Sequence, residues 1–168
     1  MTTPPPIFTD GLQVAIIVRD LDAAMRRYHD EYGVGPWAIF EFNPQTIDDM
    51  VIDDAPAEYA MRLAVAFIGR LQFELIEPLD DCSIYAQHLA DHGESLHHVA
   101  LAVDDYAKAE QTLRFKGHHI LMGGNHQGVT YAYFSTQEAL GFPVELYSAI
   151  PQGTPDAIYP PGAPSPLG

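Results

Sequence analysis

Leu12-Gln13-Val14-Ala15-Ile16-Ile17-Val18-Arg19-Asp20 and His97-His98-Val99-Ala100-Leu101-Ala102-Val103-Asp104-Asp105 align at a constant offset of 85 residues, with Val, Ala, Val and Asp recurring in register. An internal repeat organises a chain before any single residue does. Each copy reads as a short apolar strand that runs into a helix. In the first, Asp20 is the N-cap, Leu21, Ala24, Met25, Tyr28 and Tyr32 keep helical spacing, and Gly33 supplies the stop. In the second, Asp105 caps, Tyr106, Ala109 and Leu113 form the apolar stripe, and Gly117 ends it.

After each helix the pattern turns to strands. In the first half, 37–42 reads as a strand, 43–58 as an acidic loop carrying Asp48, Asp49, Asp53, Asp54 and Glu58, and 60–68 with 71–76 as a hairpin about Gly69-Arg70. In the second, 119–122, 129–134 and 144–147 are the equivalents, separated by Gly123-Gly124 and a loop over 135–143. Each half is thus β-α-β-β-β. A helix within 80–93, opening at Asp80 or Asp81, links them. The expected fold is α+β, with two tandem modules (11–79 and 96–149) forming a cupped mixed sheet with a metal site. Residues 1–10 and the proline-rich 150–168 read as tails that supply no hydrogen-bonded element. A sharper reading of the second makes it an arm, Tyr159 included, lying across a partner subunit.

Composition narrows the function. Of 168 residues, 23 are acidic and 8 basic, for a net charge of −15, a field that repels a nucleic-acid duplex and an anionic membrane. A 47% hydrophobic content with regular spacing belongs to a folded chain and not to a disordered acidic one. One cysteine, Cys82, permits no internal disulfide. The opening residues have no signal-peptide pattern, and no run approaches the ~18 apolar residues of a membrane span, so a cytoplasmic protein is expected.

Four polar residues interrupt apolar strands at repeat-related places: Gln13 and Glu74 in the first half, His98 and Glu145 in the second. A carboxylate facing an apolar interior must be paired, hydrogen-bonded or on a metal. If the halves pack about a pseudo-two-fold, the four can meet at one point as one imidazole and three oxygen donors, with two negative charges to balance a divalent cation. Zn, Ni, Co, Mn and Fe(II) all suit such a set. Around it, the hairpin turn at Gly69-Arg70 places Val65 opposite Glu74, with Leu63 and Phe67 on the same face, so an apolar wall is expected. Tyr131 and Tyr133 alternate onto one strand face as packed aromatics or as phenols near the site. His126 sits in the glycine-rich stretch 123–128, where a loop could bring it over substrate as an auxiliary acid or base. His97 should point to the opposite face of the sheet.

The runs Leu75-Ile76-Glu77-Pro78-Leu79, Gly93-Glu94-Ser95-Leu96-His97-His98-Val99-Ala100-Leu101 and Val144-Glu145-Leu146 resemble the vicinal oxygen chelate superfamily, and within it the methylmalonyl-CoA epimerase and glyoxalase I branch. The resemblance covers about residues 11–149 and implies metal ligands at Gln13, Glu74, His98 and Glu145. The order Gln, Glu, His, Glu is that of zinc-type glyoxalase I enzymes, whereas the epimerases carry His at the first position. The epimerases also place a second carboxylate base on the strand matching 60–68, and here that strand has none. No basic cluster stands ready for the phosphates of a CoA ester or the carboxylates of glutathione.

The resemblance implies a metal-dependent isomerase, epimerase or lyase that removes a proton beside a metal-bound carbonyl of a small, largely apolar substrate, through an enolate or enediolate. Glu145 or Glu74 would be the base. The alternative is a non-catalytic binding protein of the same fold, like the bleomycin-resistance proteins. Extradiol-type ring cleavage, which uses two His and one carboxylate, fits Gln13 worst. A homodimer is expected by analogy.

Overall fold

A computed structural model describes residues 5–168; the first four residues of the expected N-terminal tail lie outside it. The first module comprises β1 (Asp10–Ile17), α1 (Leu21–Tyr32), β2 (Trp37–Phe42), β3 (Asp48–Ile52), β4 (Ala55–Pro56), β5 (Met61–Ile68) and β6 (Leu71–Pro78). After α2 (Ile84–His92) come β7 (Ser95–Ala102), α3 (Tyr106–Phe115), β8 (Ile120–His126), β9 (Val129–Phe134), α4 (Gln137–Leu140), β10 (Val144–Tyr147) and β11 (Ala157–Tyr159). All the strands join one mixed sheet in the order β11-β2-β5-β6-β1-β7-β10-β9-β8-β3-β4. The two halves repeat the same local order about the antiparallel β1–β7 pair. The fold is α+β and cupped, and both halves of the cup come from one chain.

Strand alternation sorts the side chains into two layers. Outside the cup, α1 buries Leu21, Ala24 and Met25 against Trp37, Ala64 and Leu75, while α3 buries Ala109 and Leu113 against Phe134, Val144 and Leu146. The inner layer includes Ala15, Phe40, Leu63, Ile76, Tyr131 and Tyr133. Asp20 and Asp105 cap their helices as the sequence suggests, each accepting a backbone N–H from the first turn. The Gly69-Arg70 turn sets the expected register, Val65 opposite Glu74.

The structure departs from the sequence reading in several places. Segment 43–58 is not simply an acidic loop: β3 leaves the first module and pairs with β8 of the second, Ile52 opposite Met122 and Val51 opposite Gly123. Its apolar residues drive this, since Ile47 and Met50, with Tyr59 just beyond, are buried in the inner core while the aspartates stay outside. Asp54 meets Arg114 of α3 at 2.8 Å. The linking helix is capped by Ser83 instead of Asp80 or Asp81, with Asp80 accepting from the backbone of Cys82 and Ser83.

Gly123 and Gly124 lie within β8 and do not form a loop. A Cβ on Gly124 would stand 2.6 Å from Ile47 Cγ2 and 2.9 Å from the Tyr59 hydroxyl, so the strand passes where only hydrogen fits. The β8–β9 turn is the two-residue Gln127-Gly128, both with positive φ (51° and 86°), as a tight hairpin requires.

Neither expected tail is free of structure. Ile7 and Phe8 pack on the outer layer by α3, and Thr9 N–H donates to Ala102. In the C-terminal segment, β11 pairs with β2, Ala157 opposite Ile39 and Tyr159 opposite Trp37, and Asp156 accepts from Glu41 N–H at 2.9 Å. The prolines flank the strand, Pro155 before it and Pro160 after it, so none interrupts its hydrogen bonds. Tyr159 therefore lies on this chain's own β2 edge, against His29. No helix among the described residues is long and apolar enough to cross a membrane.

Gly124→Ala should lower the folding free energy by about 1–3 kcal/mol, because the added methyl must displace Ile47 and the Tyr59 hydroxyl; a urea midpoint equal to that of the unaltered protein would show that the crossing is loose.

Candidate metal centre

The central pairing brings the four predicted side chains together. Across the antiparallel β1–β7 pair, Gln13 stands opposite Ala100 and Ala15 opposite His98. On the flanking strands, Glu74 of β6 lies beside Ala15, and Glu145 of β10 beside Ala100. Four neighbouring strands thus present a long polar side chain and a small one alternately on the inner face. Ala15 and Ala100, both fully buried, leave the room into which the longer side chains lean.

Gln13, Glu74, His98 and Glu145 are all buried, and the last three hold candidate ligand atoms within 4.8 Å of one another. His98 Nε2 lies 3.1 Å from Glu145 Oε2 and 3.5 Å from Glu74 Oε2, yet has no aligned hydrogen-bond partner. Gln13 Oε1 faces the same carboxylates at 3.1 and 3.3 Å, oxygen toward oxygen. Reversing the amide offers them a donor and turns its oxygen toward the Gln72 amide 2.6 Å away, where Gln13 Nε2 donates in the other orientation. An inward-facing set of carboxylate oxygens around an imidazole nitrogen is a setting that fits a cation. Glu74, His98 and Glu145 could hold a metal ion, and the Gln13 amide stands beside them, within 3.1 Å of Glu145.

The electrostatics agree. Burial alone would lower the His98 pKa, but Glu145 and then Glu74 outweigh it and raise the imidazole to about 9. Burial raises the Glu74 carboxyl; His98 opposes this and the Glu145 charge adds to it. With no metal, a proton on His98 takes part of the cation's role.

His97 does not point to the opposite face. Ala15 pairs with His98 and Ile16 with Leu96, so His97 is the extra residue of a β-bulge and its ring returns toward its neighbour. His97 Nδ1 and His98 Nδ1 are 2.9 Å apart. Burial, with the neighbouring histidines His98 and His88, lowers the His97 pKa to about 2 and keeps it neutral. A neutral His97 accepting from His98 Nδ1–H leaves the His98 Nε2 lone pair for the site.

Tyrosines form a second belt. Tyr147 donates to Gln13 Oε1, Tyr85 donates to Tyr133, and Tyr59 bonds Tyr131 while donating to the Gly123 carbonyl. Burial holds the Tyr85, Tyr131, Tyr133 and Tyr147 phenols well above their usual range, so they act as hydrogen-bond donors and not as anions. Sequence reasoning found Tyr131 and Tyr133 through their alternation but missed Tyr59, Tyr85 and Tyr147. The available signal was Tyr147 two residues after Glu145, on the same strand face.

Above the cluster opens a cavity of about 280 Å³. Its module-one wall is Phe40, Phe42, Met61, Leu63 and Val65, and Tyr131 and Tyr133 face it from the second module. His126 lines it as the last residue of β8, its ring 4.4 Å from that of Phe42, so a strand fixes it where a closing loop was expected.

A family model described as the glyoxalase/bleomycin resistance protein/dioxygenase superfamily matches residues 12–134. No curated protein matches the sequence. Among solved structures, a Mycobacterium tuberculosis methylmalonyl-CoA epimerase is 24% identical, with a TM-score of 0.65 over 89% of this chain and 94% of that one. A Streptomyces coelicolor methylmalonyl-CoA epimerase variant, solved with 2-nitronate-propionyl-CoA, is 22% identical, with a TM-score of 0.66 over 86% and 99%. A hypothetical protein from Bacillus halodurans is 19% identical, with a TM-score of 0.64 over 85% and 96%. At these identities the likeness is one of fold. With the paired modules, the central β1–β7 contact and the matched segment all in agreement, the chain belongs to the glyoxalase/bleomycin resistance protein/dioxygenase superfamily, the vicinal oxygen chelate proteins.

Proposed function

We propose that the protein is a metal-dependent isomerase or epimerase that moves a proton beside a carbonyl group of a small molecule. The observation that supports this best is the orphaned His98 Nε2 among inward-facing oxygens of Gln13, Glu74 and Glu145 at the floor of an apolar cavity. Those four residues would hold a divalent ion, with Zn, Ni, Co, Mn and Fe as the candidates. Bound there, such an ion would supply Lewis acidity toward a substrate oxygen and make the neighbouring C–H more acidic.

The chain's own groups supply the rest. Glu145 or Glu74 takes the proton as general base, and the carboxylates are the acids close enough to return it. On the facing wall, β5 offers only Met61, Leu63 and Val65, so no second acid from that strand reaches the opposite side of the substrate. Removal and return by the same carboxylate pair favour a shift between adjacent atoms of one molecule. His126 is the auxiliary proton carrier at the rim. Burial lowers its pKa, though Asp156 opposes this, so it is neutral near pH 7 and able to accept a proton.

Elemental analysis of protein purified without added metal should find about one ion per chain, lost in His98→Ala and Glu145→Ala variants that keep the unaltered circular dichroism spectrum. The loaded protein should exchange the proton next to the carbonyl of uncharged 2-oxo compounds or thioesters for solvent deuterium, and Glu145→Gln should lower that exchange at least 100-fold. A chain that neither contains nor takes up metal is instead a binding protein of this family.

Metal uptake should depend on pH with a definite sign. His98 keeps its proton up to about pH 9 in the metal-free protein and must release it to ligate. Apparent affinity should therefore rise roughly tenfold per pH unit from pH 6 to 8, as measured by chelator competition. A flat profile would mean that His98 is not a ligand.

A further inference from the structure

We propose that residues 150–153, together with Leu167, form a specificity strap that selects an uncharged, compact, apolar ligand and rejects one attached to a long polyanionic carrier. This rests on the reading of the cavity as the place where a carbonyl compound is held. The segment expected to be a tail supplies Ile150, Pro151, Gln152, Gly153 and Leu167 to the cavity wall. It is anchored at both sides of its crossing. Ser148 N–H donates to the Thr130 carbonyl, and beyond the crossing Asp156 and β11 are bonded along the edge of β2. Leu167 then returns to pack on the inner core.

Gly153 marks the point of closest passage. A Cβ there would stand 3.1 Å from Phe40 Cε1, 3.5 Å from His126 Cε1 and 3.7 Å from Gln127 Oε1. Phe40 belongs to β2 of the first module, and His126 and Gln127 to the β8–β9 hairpin of the second, so the strap spans the two rims of the cup. A ligand resting over Glu74 and Glu145 has the strap as its outer wall.

Size and charge then fix the ligand class. About 280 Å³ lies at the lower end for small-molecule sites, room for a compact body and not for a nucleotide. None of the residues lining the cavity is Lys or Arg. Asp156 stands just before β11, and the chain carries a net charge of −15, so an array of phosphates meets repulsion and finds no counter-charge among the lining residues.

The test uses the full chain and the uncharged fluorescent probe N-phenyl-1-naphthylamine. The chain should bind the probe, Leu167→Ala should weaken binding about tenfold and Ile150→Ala about threefold, and Gly153→Leu should weaken it by wedging the strap off Phe40. Propionyl-CoA at 100-fold excess (about that over the probe) should not displace it. Failure of the full chain to bind the probe, unchanged affinity in all three variants, or displacement by propionyl-CoA would each overturn the proposal. Metal uptake by the same full chain is measured separately, so its absence would end the catalytic reading and leave the binding result standing.

Discussion

Two alanines and their partners hold the rest of the molecule to its shape. The pseudo-two-fold between β1 and β7 pairs Gln13 with Ala100 and His98 with Ala15, and places Glu74 and Glu145 one strand further out on each side. Two buried carboxylates and a buried imidazole can share so small a space only if their charge is balanced, by a bound cation or by protons kept on His98 or Glu74, since an isolated buried charge is very costly. The surroundings serve that requirement. Gln72 orients the Gln13 amide, the bulge at His97 turns a second imidazole onto His98, and tyrosine hydroxyls supply donors without adding charge.

Membership of the superfamily leaves the reaction open, and the wall facing the cluster narrows it. Three strand positions on β5 that face the cavity are occupied by Met61, Leu63 and Val65. A second base on that side would need a carboxylate at one of them. Under the proposed proton transfer β5 contributes no acid or base, and the groups left are the two glutamates and the imidazole on the floor of the cup and His126 at its rim. The tyrosines that bound the cavity from the second module give it polar edges without a formal charge, a setting suited to a neutral carbonyl compound.

The repeat carried most of the fold in plain view. Once 12–20 is set on 97–105, the pairing of 13 with 100 and 15 with 98 follows from antiparallel symmetry, and the four polar interruptions fall on one face. What stayed hidden depends on partners far away in sequence. The acidic run at 48–54 masks Ile47, Met50 and Ile52, whose burial needs β8, and the prolines of 150–168 mask a three-residue strand that exists because β2 offers an open edge. The direction of His97 was misjudged because strict alternation assumes an unbroken strand. A bulge becomes visible only when both strands are in hand. Tyr85 reaches the site from the linking helix, at a distance along the chain that no local pattern encodes.

The pairing of β11 with β2 sets the order in which the molecule can be completed. Ile39 and its partner Ala157 stand 118 residues apart, so the edge of β2 is made well before its last neighbour. An unpaired strand edge is a template for association with other chains, and contacts so far apart along the sequence form slowly. Until β11 is made and seated, β2 presents an exposed β-edge, so the segment that carries residues 150–153 to the cavity wall also closes the sheet.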